Sequence, residues 1–268
     1  MNVADSGPVT PAALAVQQLS DVALAAFQRQ GYLRVRGFFS GERLVRLRAA
    51  ALDALADCQA HVEYEAQTGY PGAPSSLDAP GGQTPRRLLQ AYARYPATHS
   101  LVHDARLLLW LRQLLDTDNP CLSQAHHNCL MTKYPGYSSV TNWHQDNRYW
   151  RFTRPDLVTA WLALGPEQAD NGALQVLPGS HLWNLAPEQL DPDLFLRPDL
   201  AQNRALLAQA QTLDLAAGDL LLFHSRLFHA AGRNVTSEVK LAWVFTFHAA
   251  DNAPLAGTRS AAYPDIRL

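Results

Sequence analysis

The residues with the clearest potential for chemistry lie in the segment Thr141–Trp150, which reads TNWHQDNRYW. It contains His144 and Asp146, an imidazole and a carboxylate separated by one residue. In extended backbone, residues i and i+2 point to the same side, so both side chains can reach one metal ion. A second histidine from a distant part of the chain would complete a triad of two histidines and one carboxylate. That ligand set suits non-haem Fe(II) and leaves coordination positions open, although an H-x-D triplet alone also occurs by chance.

Two histidines far downstream are candidates for the third ligand. His224 ends an apolar run that begins at Leu220, directly after the turn residues Gly218 and Asp219. His229 lies a little further on, in the segment LFHAAGRN. Either imidazole could bind iron, so the residues alone leave the choice between them open.

Helical patterns dominate the first part of the chain, which must support the site. The expected helices are one capped by Ser20 and ended by Gly31, one following Ser40, and two more over residues 86–95 and 105–115, the last capped by Asp104. A short strand is expected around Leu33 and Val35, where apolar and basic residues alternate. Residues 1–19 are expected to be flexible and residues 20–118 to form a mainly helical support.

β-strand patterns dominate residues 119–250. Short apolar runs separated by Pro, Gly and Asn are typical of a sandwich or jelly roll. The run Leu157–Leu164 contains Trp161 and predicts a buried strand, and the last strand carries Lys240. The fold class we expect is mainly β with flanking α-helices, in one domain over residues 1–268 with a jelly-roll core.

The segment Gly69–Pro85 is dense in Gly, Pro and Ser. A loop of this length in a compact domain is often a lid over a pocket. A disordered surface insertion is the alternative, and the composition does not separate the two.

The composition is that of an ordinary globular protein. The chain has 268 residues, 47% of them hydrophobic and 17% charged, which is enough for a sizeable core. Its net charge of −2 gives no electrostatic reason to expect nucleic acid or an anionic membrane as a partner. The three cysteines form no metal-type spacing, and their odd number favours a reducing cytoplasm over secretion. No apolar run approaches the ~18 residues of a membrane span, and no signal sequence is expected at the N-terminus.

Five motifs occur in the order and approximate spacing of the phytanoyl-CoA dioxygenase family, which this chain resembles from about Ser20 to about His248. They are His144-Gln145-Asp146, Asn171-Gly172, Pro178-Gly179-Ser180-His181, Gly218-Asp219, and His229 with Asn234. The resemblance implies a double-stranded β-helix, a cupin-like jelly roll, with Fe(II) as metal, 2-oxoglutarate as cosubstrate and dioxygen as oxidant. It says almost nothing about the prime substrate, because family members oxidise many unrelated molecules.

The resemblance also implies site residues. His144, Asp146 and His229 match the iron ligands, and His224 is then assigned to packing or to a position next to the ligands. Trp161 stands where the family has a tryptophan beside the cosubstrate, although a plain core tryptophan is the alternative.

The implied cosubstrate contact departs from the family pattern. Lys240 stands where the family usually has an arginine that binds the distal carboxylate of 2-oxoglutarate. Lysine supplies the charge without the planar fork, so the mode of binding differs. Lys133 could be a second basic contact or a solvated lysine at a strand end, and Arg233 is a further alternative to Lys240.

The implied reaction is hydroxylation of a small molecule with release of succinate and CO₂. Asp146 argues against halogenation, since related halogenases carry a small residue in its place. Arg148, Tyr149 and His248 are the candidate substrate contacts, and Arg148 would suit an anionic substrate or be a solvated stacking partner. The rival interpretations are a cupin-type dioxygenase that does not use 2-oxoglutarate and an inactive binding protein on the same fold. The oligomeric state is not predicted.

Overall fold

The computed structural model describes residues 17–58 and 61–268, so the expected flexibility of residues 1–16 lies outside the described part. The helices in this part are α1 (Asp21–Gln30), α2 (Gly41–Ala56), α3 (Ala91–Arg94), α4 (His99–Val102), α5 (Ala105–Leu114) and α6 (Ala201–Leu207). The strands are β1 (Tyr32–Val35), β2 (Val62–Tyr64), β3 (Pro85–Leu89), β4 (Pro120–Leu122), β5 (Asn128–Lys133), β6 (Thr141–His144), β7 (Leu157–Ala163), β8 (Leu174–Val176), β9 (Gln211–Thr212), β10 (Leu220–His224), β11 (His229–Ala231), β12 (Lys240–Ala249) and β13 (Ile266–Arg267).

The strands form two antiparallel sheets that make a β-sandwich. The larger sheet runs in the order β1-β10-β7-β12-β5-β3-β2, with β4 pairing with β12 and β13 pairing with β4. The smaller sheet runs β6-β11-β8-β9. Strands distant in sequence are neighbours in both sheets, which is the pattern of a jelly roll.

The central strands of the larger sheet, such as β7 and β12, are buried on both faces. On β7, Ala160 and Leu162 belong to a core cluster that includes residues of α1, α2 and α5, whereas Trp161 and Ala163 belong to a cluster shared with β8 and β11 of the smaller sheet. Neighbouring residues of a strand point to opposite faces, so a strand covered on both sides reads as one continuous apolar run. This explains why the Leu157–Leu164 run was a reliable strand signal.

The caps at the first helix are as predicted. The Ser20 side chain accepts a hydrogen bond from the Ala23 amide, and Gly31 ends α1 in the left-handed region at φ 81°. Ser40 precedes α2, as predicted, but its side chain forms no capping hydrogen bond. The backbone of Leu19 exchanges two hydrogen bonds with the side chain of Gln113 on α5, which attaches the start of the described chain to the helical layer.

The helix predicted over residues 86–95 is wrong in its first half. Residues Pro85–Leu89 form β3, which pairs with β5 in the larger sheet, and only Ala91–Arg94 are helical. Gln90 has φ 58°, which interrupts any helix between the two. Cross-strand pairing with a segment some forty residues away overrides the local helical periodicity. Residues 20–118, which were predicted to form a mainly helical support, therefore also contribute β1, β2 and β3 to the larger sheet.

The segment Gly69–Pro85 is a succession of turns before β3. Backbone hydrogen bonds such as Ala73 N to Tyr70 O, 2.9 Å, and Gly82 N to Ala79 O, 2.8 Å, close these turns. The interpretation as a disordered insertion is therefore wrong. Only the first residues of the loop, Gly69 and Tyr70, line the larger cavity described below.

The described residues contain no disulfide. Cys58, Cys121 and Cys129 are free thiols. Within residues 17–58 and 61–268, no helix has the length and apolar character that a membrane span requires.

Candidate metal centre and active site

Two adjacent strands of the smaller sheet bring the proposed ligands together. His144 ends β6 and His229 begins β11, and the two residues are directly paired across these antiparallel strands. Gln145 remains extended, at φ −104° and ψ 142°, so Asp146 points to the same side as His144. The nearest ligand atoms of His144, Asp146 and His229 all lie within 4.8 Å of one another.

Hydrogen bonds fix the ring orientation of both histidines. His144 Nδ1 lies 2.8 Å from the carbonyl of Asn142, and His229 Nδ1 lies 3.0 Å from the carbonyl of Leu227. Because a carbonyl only accepts, each Nδ1 carries a proton, which makes Nε2 the ring nitrogen available to a metal. These Nε2 atoms lie 4.0 Å and 3.8 Å from Asp146 Oδ1. A backbone carbonyl that holds the remote ring nitrogen is the usual support of a metal-binding histidine.

The donor set fits a divalent metal. Asp146 is 2% exposed, and its Oδ2 has no hydrogen-bond partner among the described residues. Burial raises the pKa of Asp146 to about 6, and burial together with His229 holds the pKa of His144 well below its usual range. A buried carboxylate with an unpartnered oxygen, beside two imidazole nitrogens, calls for a cation. With nitrogen and oxygen ligands on one face, Fe(II) suits the site.

His224 does not take part in this cluster. Its Nδ1 accepts a hydrogen bond from the Arg226 amide at 3.0 Å, and its Nε2 faces Asp156 at 3.6 Å. The structure thus brings His229, and not His224, to the other two ligands.

Trp161, Glu167 and Lys240 form a buried cluster beside the triad. Lys240 points to the same face of β12 as Ala242 and Val244, which pack in the space between the sheets. Its side chain is 3% exposed. Its Nζ donates to Glu167 Oε2 at 3.0 Å and lies 4.8 Å from the centre of the Trp161 ring. Glu167 Oε1 accepts from the Trp161 indole nitrogen at 2.8 Å, so the carboxylate holds both side chains.

Lys133 is buried, and the interpretation as a solvated lysine is wrong. It is 6% exposed, and its Nζ donates to the carbonyls of Ser139 at 2.8 Å and Gly232 at 2.6 Å. Among the described residues no carboxylate lies within ion-pair distance of it. Burial, with Arg86 and Lys240 nearby, lowers its pKa to about 7.

The family-like turn motifs hold the scaffold around Lys133. Asn234 donates from Nδ2 to the carbonyl of Lys133 at 2.8 Å. Gly172 has φ +78°, and a Cβ there would lie 2.7 Å from both the Gly232 carbonyl oxygen and Lys133 Cδ. Only glycine therefore allows the close approach of these segments.

One cavity, here called the inner cavity, is lined by the triad together with Lys133, Trp161 and Lys240. Arg86 and Arg87 on β3 also line it, and Arg86 is held by Ser139 and Thr141 at 2.8 Å and 3.0 Å and by buried Glu65 at 3.3 Å. Arg233 is not among the lining residues, because its guanidinium donates to the carbonyls of Ser138 and Gly136.

A larger cavity of about 320 Å³, here called the outer cavity, adjoins the inner one, since Arg87 and His127 line both. Of the predicted substrate contacts, Arg148 and Tyr149 line the outer cavity. His248 lines neither cavity: it is 1% exposed, with Nε2 3.2 Å from Asp265 Oδ2. The prediction that His248 contacts substrate is therefore not supported by its position.

Several residues of the site were not predicted from the sequence. His127 lies with Nδ1 3.9 Å from Asp146 Oδ2, and burial, together with Arg87, holds the pKa of His127 well below its usual range. The adjacent pair His126-His127 was a signal that could have been noticed. Arg86 and Arg87 were obscured by the helix prediction for their segment. Glu167 and Arg259 carried no local signal.

The comparisons with known proteins agree with this geometry. The model of the family described as phytanoyl-CoA dioxygenase matches residues 27–242. A probable alpha-ketoglutarate-dependent hypophosphite dioxygenase of Stutzerimonas stutzeri is 25% identical over 239 residues, covering 85% of this chain and 78% of the relative. The ectoine dioxygenase of Halomonas elongata is 27% identical over 262 residues, covering 91% of this chain and 74% of the relative.

A solved structure supports the same fold. Iron-bound EctD from S. alaskensis superposes with a TM-score of 0.73 at 23% identity, covering 88% of this chain and 79% of that one. The predicted jelly roll and the predicted use of iron and 2-oxoglutarate are confirmed, and the cupin-type alternative without 2-oxoglutarate is not supported. The chain belongs to the phytanoyl-CoA dioxygenase family of Fe(II)- and 2-oxoglutarate-dependent dioxygenases.

Proposed function

We propose that this dioxygenase hydroxylates a small molecule bound in the outer cavity and converts 2-oxoglutarate to succinate and CO₂. His144, Asp146 and His229 hold the iron, and Lys240, Trp161 and Lys133 hold 2-oxoglutarate. One observation carries the proposal: the triad and these three residues line a single cavity that adjoins a second, larger one. The metal and 2-oxoglutarate thus share the inner cavity, and the substrate binds next to them in the outer cavity.

The basic residues of the inner cavity suit a dicarboxylate. In the described chain no carboxylate lies within ion-pair distance of Lys133, and burial, with Arg86 and Lys240 nearby, lowers its pKa to about 7. The distal carboxylate of 2-oxoglutarate supplies the missing negative charge. Lys240, which Glu167 already neutralises at 3.0 Å, adds a donor whose position is fixed.

Bound Fe(II) supplies the oxidative chemistry, and the chain positions the reactants for it. Nδ1 of His144 and His229 remains protonated on backbone carbonyls, which keeps both Nε2 atoms aimed at the metal position. Trp161 and the buried sheet residues around it exclude water from the cosubstrate side.

Hydroxylation is favoured over halogenation because a carboxylate occupies the third ligand position. Asp146 lies within 4.0 Å of both histidine Nε2 atoms and fills the place that a halide would need. The relatives named for ectoine and hypophosphite act on small molecules, which agrees with an outer cavity of about 320 Å³.

The three free cysteines support a reducing compartment, and we place the protein in the cytoplasm on that ground. Cys121 and Cys129 are buried, and burial raises the pKa of the Cys129 thiol to about 12, so this thiol remains protonated and inert.

A substrate screen tests the proposed reaction. Iron-loaded protein with 2-oxoglutarate and dioxygen is exposed to a library of small metabolites, and succinate is measured. We expect compound-dependent succinate formation with one atom of isotopically labelled dioxygen in the oxidised product. Succinate formation coupled to halide incorporation, or to a product without labelled oxygen, would contradict hydroxylation.

A further inference from the structure

Aromatic rings surround Arg148 in the outer cavity. The ring centres of Phe195 and Tyr149 lie 5.9 Å and 6.0 Å from the ring centre of His144. Both aromatic side chains therefore pack against an iron ligand. Trp150 packs edge-on against His127 at 5.3 Å on the side shared with the inner cavity. A molecule in this cavity therefore packs against the rings that border the triad.

Arg148 is fixed in position but has no anionic partner. Its guanidinium carbon lies 3.8 Å from the centre of the Phe195 ring and 4.4 Å from that of Tyr149. Its Nη1 donates to the Tyr149 hydroxyl, which is in turn hydrogen-bonded to the hydroxyl of Tyr70. In the part of the chain that the structure describes, no carboxylate lies within 4 Å of this guanidinium. Stacked between rings, it keeps further N–H donors for a ligand.

The other charged residues that line the outer cavity do not neutralise the positive charge of Arg148. Arg87 is paired with Glu63 at 3.1 Å, so these two lining residues neutralise each other. Arg259 and Asp193, both exposed, also line the cavity, and neither has an ion-pair partner among the described residues. The lining thus has an excess of one positive charge, with Arg148 the most enclosed of its unpaired groups.

We infer that the substrate carries an oxyanion, a carboxylate or a phosphonate-type group, which binds to Arg148. This rests on the proposed function and names its substrate class. The planar fork of arginine suits both kinds of oxyanion. Tyr70, Tyr149, Trp150 and Phe195 contact the body of the molecule, and His127, which lines both cavities, lies on the side toward the inner cavity. The volume of about 320 Å³ is near the lower limit of ordinary ligand pockets, which restricts the substrate to a compact molecule.

Four compact probes test the inference without requiring turnover: benzoate, phenylphosphonate, neutral benzamide and cationic benzylamine. Each is added to anaerobic Fe(II)-loaded protein with saturating 2-oxoglutarate, and paramagnetic relaxation of the probe protons measures binding near the iron. We expect at least one of the two anions to bind more tightly than benzamide and benzylamine. The comparison of benzoate with phenylphosphonate shows which oxyanion the site selects.

Arg148→Gln is expected to weaken binding of the preferred anion roughly ten- to a hundredfold, the range for a hydrogen bond to a charged group, and to leave benzamide unchanged. Arg148→Met, which keeps the stem over Phe195, is a second neutral variant. Arg151→Gln is the matched control, because exposed Arg151 loses the same charge but does not line the cavity.

The visible absorption band of the iron–2-oxoglutarate complex is recorded in every sample. If the band is present but neither anion binds, or anion binding survives both Arg148 variants, the inference is overturned and the proposed function stands. Equal or tighter binding of benzamide or benzylamine overturns it as well. Absence of the band in the unmodified protein counts against the proposed function instead.

Discussion

His229→Ala is expected to abolish tight Fe(II) binding and turnover. The variant leaves His144 and Asp146 as an incomplete ligand set, with the buried carboxylate deprived of its metal. Loss of residues that merely orient metal ligands already costs about 10–100-fold in affinity, so loss of a ligand costs more. Fe(II) titration under anaerobic conditions and succinate formation measure the two effects. His144→Ala and Asp146→Ala should behave alike.

His224→Ala is the matched control for this prediction. It removes an imidazole on β10 of the larger sheet, five positions before His229. The nitrogens of His224 face Arg226 and Asp156, and His224 does not line the inner cavity. Its Fe(II) affinity is expected to remain near that of the unmodified protein. Iron binding that survived His229→Ala and collapsed in His224→Ala would reverse the assignment of the third ligand.

Lys240→Ala is expected to weaken 2-oxoglutarate binding by roughly two to four decades, with little change in Fe(II) binding. Because Glu167 already neutralises Lys240, the variant leaves the carboxylate of Glu167 buried and unpaired where the dicarboxylate must bind. An uncompensated buried charge typically costs ~3–5 kcal/mol, at ~1.4 kcal/mol per decade of affinity. Titration of 2-oxoglutarate into iron-loaded protein measures the effect, and Lys240→Arg should keep part of the affinity.

Glu167→Gln separates the role of Lys240 in binding from its role in the buried pair. With the carboxylate neutralised, the charge of Lys240 serves 2-oxoglutarate alone, so affinity should be kept or raised while the unliganded protein loses thermal stability. The double variant Lys240→Met, Glu167→Gln removes both charges and should fold but bind 2-oxoglutarate weakly. A near-native dissociation constant in that double variant would remove Lys240 from the site and leave Lys133 as the principal contact.

The sequence predicted those parts of the site that depend on local spacing or ordered motifs. The shared orientation of His144 and Asp146 could be predicted from the two-residue period of extended backbone. The helix ends at Ser20 and Gly31 could be predicted from the side chains that cap helices. The choice of His229 over His224 came from the resemblance, and the direct pairing of His229 with His144 across β6 and β11 gives its physical reason.

The remaining features depend on contacts between distant segments. Glu167 and Lys240 are separated by 73 positions, and no pattern around either residue indicates that they pair. Arg86 and Arg87 lie in a segment whose periodicity is helical, yet β5 binds it as a strand. His248 lies on β12, but its side chain faces Asp265 of the C-terminal segment, a contact that no local pattern indicates.

Anaerobic addition of 2-oxoglutarate to Fe(II)-loaded protein tests the central claim most directly. The triad, with Lys133, Trp161 and Lys240 lining the same cavity, predicts that the keto acid chelates the iron and that its weak visible charge-transfer band develops. The band should saturate at one equivalent of 2-oxoglutarate per bound iron. It should be absent in His229→Ala. If iron is shown to be bound and saturating 2-oxoglutarate gives no band, the assignment of this cavity to iron and 2-oxoglutarate is wrong.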